Sequence, residues 1–275
     1  MQKITPSELG VLTKYIKEKS GISLDGSKAY LIESRLSPLL QEYNYKNYSE
    51  LYFKAKVDPR ISTKLVDAIT TNETFWFRDN TPFQLLKHKI IPDHIDRVTE
   101  NSIGSPSLKI WSAACSTGQE VYSIAIILKE LLGDFSRWRI SLTGTDISDA
   151  AIAQSSYGCY NKVELSRGLN EAQLQRYFNM NGTKARIKDE IRYIANFKKL
   201  NLLEPFDFMG KYDIILCRNV AIYFDLEDRK KLFDRLAKQL NPSGALIIGS
   251  TESLFGVSHL YERKMYMNSV FYQVK

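Results

Sequence analysis

The chain has 275 residues, 44% of them hydrophobic, and 38 Lys and Arg against 31 Asp and Glu give a formal net charge of +7. That length supports one large or two modest domains with a real core, and the apolar share is that of a soluble globular chain. The positive balance points to an acidic partner without specifying nucleic acid, while Cys115, Cys159 and Cys217, widely spaced and without a CxxC pair, argue against a disulfide framework or a zinc site.

Thr5-Pro6-Ser7-Glu8 opens the first element: a capping threonine, a proline at the first helical position and a glutamate at the third are how a helix begins. Leu9, Leu12 and Ile16 mark one face, and Gly21 stops it. Further helical periodicity at 28–43, 48–56 and 60–69 makes the first eighty or so residues an all-helical unit. Next comes TTNETFWFRD, residues 70–79, where three consecutive aromatics, Phe75, Trp76 and Phe77, cannot all face one core from a regular helix or strand. Thr71, Asn72, Thr74 and Arg78 surround them with donors and acceptors, so the segment is either a ligand site or a loop that plugs its aromatics into a core. A long helix, 81 to about 97, then leads into the turn-forming ENSIGSPS.

From Leu108 the pattern becomes strand, loop, helix. LKIWSAA and ISLTGTD are expected strands separated by a helix at 120–132, and a further helix starts at Asp149. KYDIILCRN is a third strand, 226–240 a helix, ALIIGS a fourth strand, and MYMNSVFYQV ends the chain as strand material. This alternation predicts a mostly parallel sheet covered on both faces, with ligands bound beyond the carboxyl ends of the strands. Between 160 and 203 the order breaks: 171–178 is helical, and the alternation within 185–197, flanked by Asn181-Gly182 and Asp189-Glu190, predicts a hairpin in a β-rich insertion. The densest basic stretch, Lys184, Arg186 and Lys188 with Arg192, Lys198 and Lys199, is expected to be a solvated face. His88, His94 and His259 have no metal-ligand spacing and are expected at the surface or in packing, so no metal is expected. MQKITPSELG lacks a signal-peptide apolar run, and the longest apolar stretch, 122–132, is interrupted by Lys129 and Glu130. Reduced, cytoplasmic surroundings without membrane insertion are therefore expected.

Candidate site residues collect at the strand ends. Cys115-Ser116-Thr117-Gly118 opens a helix with small residues, although with one glycine it is no dinucleotide fingerprint. Asp146 ends the second strand, where a carboxylate suits the vicinal hydroxyls of an adenosine ribose; capping the 149 helix is its competing use. Arg218 and Asn219 end the third strand and lead to Tyr223, which is either a site residue or an ordinary core aromatic. Gly118, Asp146 and Asn219 share one predicted edge, and an adenosine ligand without pyrophosphate, such as S-adenosylmethionine, fits them better than NAD. Arg78 would then meet its amino-acid end.

Six segments together resemble the chemotaxis-receptor methyltransferases of the CheR type: YLIESRLSPLL (30–40), TTNETFWFRD (70–79), IWSAACSTGQEVYSIA (110–125), GTDIS (144–148), NLLEPF (201–206) and CRNVAIYFD (217–225). The resemblance implies an all-helical N-terminal domain followed by a Rossmann-like, S-adenosylmethionine-dependent α/β domain with a small antiparallel β subdomain inserted. The expected division is 1–88 for the receptor-facing helical domain, 89–107 for a linker helix and turn, and 108–275 for the methyltransferase domain, with the subdomain at about 160–200. It also implies a protein-glutamate O-methyltransferase acting on the cytoplasmic helices of methyl-accepting chemoreceptors, recruited to receptor arrays and monomeric. Residue by residue, Asn72, Thr74 and Arg78 match cofactor contacts, with Arg78 on the methionine carboxylate. Glu120 matches the partner of the cofactor's amino group, Asp146 the ribose ligand, and Asn201 and Leu202 the adenine surroundings. Asn219, with Arg218 or Val220, matches the strand-end contacts, and Tyr223 the aromatic near the transferred methyl. Arg78 and Tyr223 are the expected catalytic residues, with Phe75, Trp76 and Tyr223 as a dry wall. Gln119 and Val121 depart from the GEEPYS common in the family, and the short NMNGTKARIKDEIRY stretch argues against a receptor-peptide tether. Two other readings are a nucleic-acid methyltransferase, from the positive charge, and a non-catalytic cofactor-binding adaptor. The absence of an NPPY-like base pocket weighs against the first, and the presence of Arg78, Asp146 and Tyr223 against the second.

Overall fold

The computed structural model describes residues 3–101 and 104–275. Four helices open the chain: α1 (Pro6–Ser20), α2 (Ala29–Glu42), α3 (Tyr48–Val57) and α4 (Pro59–Ile69). The expected capping box forms at Thr5 and Glu8, and Gly21 ends α1 in the left-handed conformation. Leu12, Ile16, Ile32, Leu36, Leu51 and Leu65 pack into one core. Glu8 has a further task, since its Oε1 accepts the Ser49 N–H at 3.0 Å and so ties α1 to the start of α3.

The long helix after residue 80 runs as α5 (Thr81–Leu85), a π-turn over Leu86–Ile90, and α6 (Ile91–Asn101). Pro92 follows the π-turn; it has no N–H to give and its ring crowds the preceding turn, and the wider turn makes room for it.

Elements then alternate: β1 (Ser107–Ala113), α7 (Gln119–Leu132), β2 (Arg139–Asp146), α8 (Asp149–Tyr157), β3 (Cys159–Asn161), α9 (Lys162–Ser166), α10 (Glu171–Tyr177), β4 (Phe178–Asn181), β5 (Lys184–Ile187), α11 (Asp189–Arg192) and β6 (Ala195–Lys199). The chain closes with β7 (Tyr212–Cys217), α12 (Leu226–Lys238), β8 (Leu240–Ile248), β9 (Tyr261–Tyr266) and β10 (Ser269–Val274). The main sheet has seven strands in the order β6-β2-β1-β7-β8-β10-β9. The first five run parallel, and β10 and β9 add an antiparallel edge. Its strands are apolar on both sides. Ile110, Ile214, Leu216 and Ile247 face the core beneath α7, and the alternate residues Trp111, Ile215 and Leu246 face the core beneath α12.

The insertion departs from expectation in one respect. Residues 189–192 form a helical turn rather than a β-turn, and Ala195–Lys199 is the parallel edge strand of the main sheet, paired from Leu142↔Ala195 to Asp146↔Lys199. Alternating apolar residues define a half-buried strand but not its partner. The small antiparallel sheet is instead β3-β5-β4, with Gly182 and Thr183 turning β4 into β5. Lys198 and Lys199, exposed on the edge strand, guard it against pairing with another chain.

Candidate active site

Three neighbouring strand ends supply one wall of a cavity. Asp146 closes β2, residues 114–116 follow β1, and Arg218 and Asn219 follow β7, so the order β2-β1-β7 sets them side by side. The segment 70–74 with Arg78 forms the facing wall, Leu200-Asn201-Leu202 after β6 closes one end, and Ser20 and Ile22 reach in from the exit of α1. The cavity measures about 890 Å³ including its open mouth. Asn72, Thr74, Arg78, Glu120, Asp146, Asn201, Leu202, Arg218, Asn219 and Tyr223 all line it.

The backbone is bent at these places. Ala114, Ser116 and Asn219 line the cavity with φ of 60°, 50° and 57°, and Phe77, Asp79 and Asn80 carry φ of 51°, 68° and 46° beside it. Non-glycine residues hold this conformation at a cost met by surrounding contacts, a pattern concentrated at functional sites. At Asn219 the contact comes from Glu252, whose Oε2 accepts the N–H groups of Asn219 at 2.8 Å and Gly249 at 2.7 Å. Burial pushes the Glu252 carboxyl above the usual range, and those two N–H bonds pull against it. Sequence reasoning missed Glu252, although an acid just past the fourth strand was a visible signal.

Two carboxylates dominate the floor. Asp146 is 7% exposed. Its Oδ2 accepts from Ser116 N–H at 2.8 Å and its Oδ1 from Ser148 N–H at 3.0 Å. Burial raises its pKa, partly offset by those N–H groups. The competing use as a helix cap falls away, because the Ser148 side chain caps α8. Glu120, in the first turn of α7, accepts Ser112 Oγ–H at 2.7 Å and Arg218 Nη1 at 2.7 Å. Two of its four or so lone-pair sites remain for a ligand. Arg78 is half-buried; its Nη1 donates to the Glu73 carbonyl at 2.7 Å and its guanidinium lies 5.6 Å from the Phe75 ring centre.

Three expectations need correction. Trp76 is 0% exposed and packs edge-on against Tyr160 and Phe178 at 5.0 and 5.2 Å, so it anchors the segment in the core and does not wall the cavity. Phe75 lies outside the wall as well, held between Arg78 and Arg167. Tyr223, Phe224, Ile22, Ile147, Leu200 and Leu202 supply the apolar lining instead. Gly118 does not meet the ligand space either. A Cβ there would sit 2.7 Å from Ser155 Cβ, and its φ is 93°, so glycine is required for packing at the helix start. Ser20 and Ile22 carried no signal, since only the fold brings the exit of α1 here. The histidines and cysteines lie outside the cavity except for Cys115. His94 is buried in hydrogen bonds to the Ser107 carbonyl and Arg97, the cysteines are free, and no metal-binding cluster occurs among the described residues.

Fold and cavity together define a Rossmann-like domain for a small ligand that carries positive charge and hydroxyls: the buried Asp146 and the part-buried Glu120 line the cavity where a pyrophosphate would need donors. The lining fits S-adenosylmethionine: it combines the Glu120 and Asp146 carboxylates, the Arg78 guanidinium and the apolar side chains of Ile147, Leu200 and Leu202. Residues 72–270 match the CheR methyltransferase SAM binding domain, and residues 7–70 the CheR all-alpha domain. Chemotaxis protein methyltransferase Cher2 of Pseudomonas putida is 37% identical over 268 residues, which cover 95% of each chain. The chemotaxis protein methyltransferase of Vibrio parahaemolyticus is 36% identical over 282 residues, covering 99% of this chain and 98% of that one. That of Borreliella burgdorferi is 35% identical over 264 residues, covering 94% and 92%. The chain belongs to the CheR methyltransferase family, and S-adenosyl-L-methionine is its cofactor. No helix among the described residues is long and apolar enough to cross a membrane.

Proposed function

We propose that this protein methylates glutamate side chains on the cytoplasmic helices of chemoreceptors, yielding γ-methyl esters and S-adenosyl-L-homocysteine, as a cytoplasmic monomer recruited to receptor arrays. When bound, the cofactor supplies an electrophilic sulfonium methyl. Asp146 holds the ribose hydroxyls, Glu120 the ammonium group and Arg78 the carboxylate, with Asn72, Thr74 and Asn219 adding polar contacts and Asn201 and Leu202 flanking the adenine. Arg218 belongs to the same floor through Glu120. Tyr223 borders the point of transfer and, with Phe224, keeps water away.

No general base is required, because a glutamate of pKa about 4.3 is already ionised at neutral pH. The acceptor attacks as the carboxylate, and charge is neutralised along the path. A dry cavity therefore favours the less charged transition state, and positioning supplies most of the catalysis. We take residues 1–88 as the receptor-facing unit, 89–107 as the linker and 108–275 as the methyltransferase unit.

One observation carries this reading: every residue that the family resemblance assigns to the cofactor lines one cavity, in a chain matched by the family along nearly its whole length. The test is incubation with tritiated S-adenosylmethionine and membranes holding candidate receptors. Label on the receptor that is released as methanol by alkali supports the proposal. Alkali-stable label on nucleic acid, or cofactor binding with no transfer to any receptor fraction, would replace it with one of the two other readings.

A further inference from the structure

Arg218 lines the cavity, yet its guanidinium is committed elsewhere. The side chain is 2% exposed. Its Nη1 donates to Glu120 Oε2 at 2.7 Å, and its Nη2 donates to Asp79 Oδ2 and to the Arg78 carbonyl, both at 2.8 Å. The Phe83 ring lies beneath it, 5.6 Å from the guanidinium carbon, and Nε is sealed from solvent without a partner. Three of its five N–H bonds and one face are thus taken by protein groups.

Those groups come from separate parts of the chain. Glu120 begins α7, Arg218 follows β7, and Arg78 and Asp79 end the irregular segment that carries Asn72 and Thr74. Asp79 has φ of 68°, so both bonds from Nη2 fall on a bent backbone that needs outside support. One guanidinium also faces two carboxylates, Glu120 in the cavity lining and Asp79 outside it. Removing the guanidinium would leave the Glu120 side chain, 13% exposed, with Ser112 Oγ–H as its remaining donor.

We propose that the Arg218 side chain is a positioning group: its guanidinium aims Glu120 and fastens the 70–79 segment to the strand end, and does not itself touch the cofactor. This rests on the reading of the cavity as the S-adenosylmethionine site. It replaces the direct contact that the family resemblance implies for Arg218 with an action through Glu120, whose free lone pairs then meet the ammonium group.

The experiment measures binding of three ligands by calorimetry to the full-length protein and to Arg218→Met and Arg218→Lys. S-adenosylmethionine has both the amino and the carboxyl group, decarboxylated S-adenosylmethionine keeps only the amine, and 5′-methylthioadenosine has neither. Arg218→Met is expected to weaken the first two by about tenfold or more and to leave 5′-methylthioadenosine within about twofold. Arg218→Lys, which keeps the charge but not the fork, should recover part of the loss. In a Glu120→Gln background, Arg218→Met should cost little more.

If decarboxylated S-adenosylmethionine binds Arg218→Met as well as it binds wild type, Arg218 is a carboxylate ligand and the proposal is overturned. Equal losses for all three ligands overturn it too, as a merely structural role would give them. If Arg218→Met does not fold, Arg218→Lys carries the same comparison with smaller ratios. A wild-type protein that fails to bind S-adenosylmethionine would overturn the reading of the cavity itself, an outcome distinct from any of these.

Discussion

The two walls of the cavity are built on different principles. The strand-end wall inherits its geometry from the sheet: Asp146, residues 114–116 and Asn219 sit where parallel pairing of β2, β1 and β7 sets them, and the pairing extends to Thr145↔Ala113 and Ala113↔Cys217. The facing wall, 70–79, has no ladder. It is held by single contacts: Trp76 in the core, Trp76 N–H on the Arg167 carbonyl at 3.1 Å, Phe77 N–H on Ser123 Oγ at 3.1 Å, and the Arg218 clamp. Gly168 lets the Arg167 strap come this close, since a Cβ there would lie 2.0 Å from the Trp76 carbonyl. The difference teaches that ligand chemistry on the sheet side should change without loss of fold, whereas the segment side couples ligand chemistry to local stability.

The largest effect should come from the segment's anchor. Trp76→Ala is expected to lower unfolding free energy by about 3–5 kcal/mol, read as a fall in denaturation midpoint at unchanged m-value. Its indole Nε1 has no hydrogen-bond partner, so Trp76→Phe should cost much less. A small loss in Trp76→Ala would show that the segment is held by something other than its core aromatic.

Asp146→Asn tests the opposite wall. Cofactor affinity should drop by about 10- to 100-fold, and stability by about 1–3 kcal/mol, less than in Trp76→Ala, because the amide can accept only one of the two N–H groups that Asp146 now takes. Loss of fold in this variant would erase the contrast between the walls.

Arg78→Ala should reduce methyl transfer by about tenfold with a modest change in stability, because the side chain is half-buried, donates to one carbonyl and otherwise rests beside the Phe75 ring. Unchanged transfer together with unchanged cofactor affinity would remove Arg78 from the site.

The smallest effect is a pH dependence. Burial raises the Asp146 carboxyl above the usual aspartate range, and the protonated form accepts ribose hydroxyls less well. Affinity should therefore be full above that raised value and decline as pH falls through it, at a higher pH than an ordinary aspartate would give. Asp146→Asn should flatten this decline in binding titrations. A wild-type affinity that is flat through the acid range would show that the carboxylate charge is not used.

What could be read beforehand follows the same division. The Thr5–Glu8 box, the helix boundaries and the strand ends at Asp146 and Asn219 were legible because caps and periodicity are local properties. The partner of Ala195–Lys199 was not, since alternation fits either sheet. The direction of Trp76 was equally hidden: three consecutive aromatics must diverge, but only the surrounding Tyr160 and Phe178 decide which one turns inward. The partners of a side chain were hidden as well, as with Arg218, whose guanidinium is occupied by Glu120 and Asp79.

Ser20 and Ile22 in the cavity wall have a consequence for how the molecule melts. The helical unit touches the α/β unit through the Ser23 N–H on the Tyr223 carbonyl at 2.9 Å and the Lys17–Asp225 ion pair at 2.5 Å. A ligand that fills the cavity adds contacts to both units and binds only while both are folded. Saturation should merge two calorimetric transitions into one or raise a single transition for the whole chain. The cofactor then acts as a cross-link between units, reversible and set by its concentration.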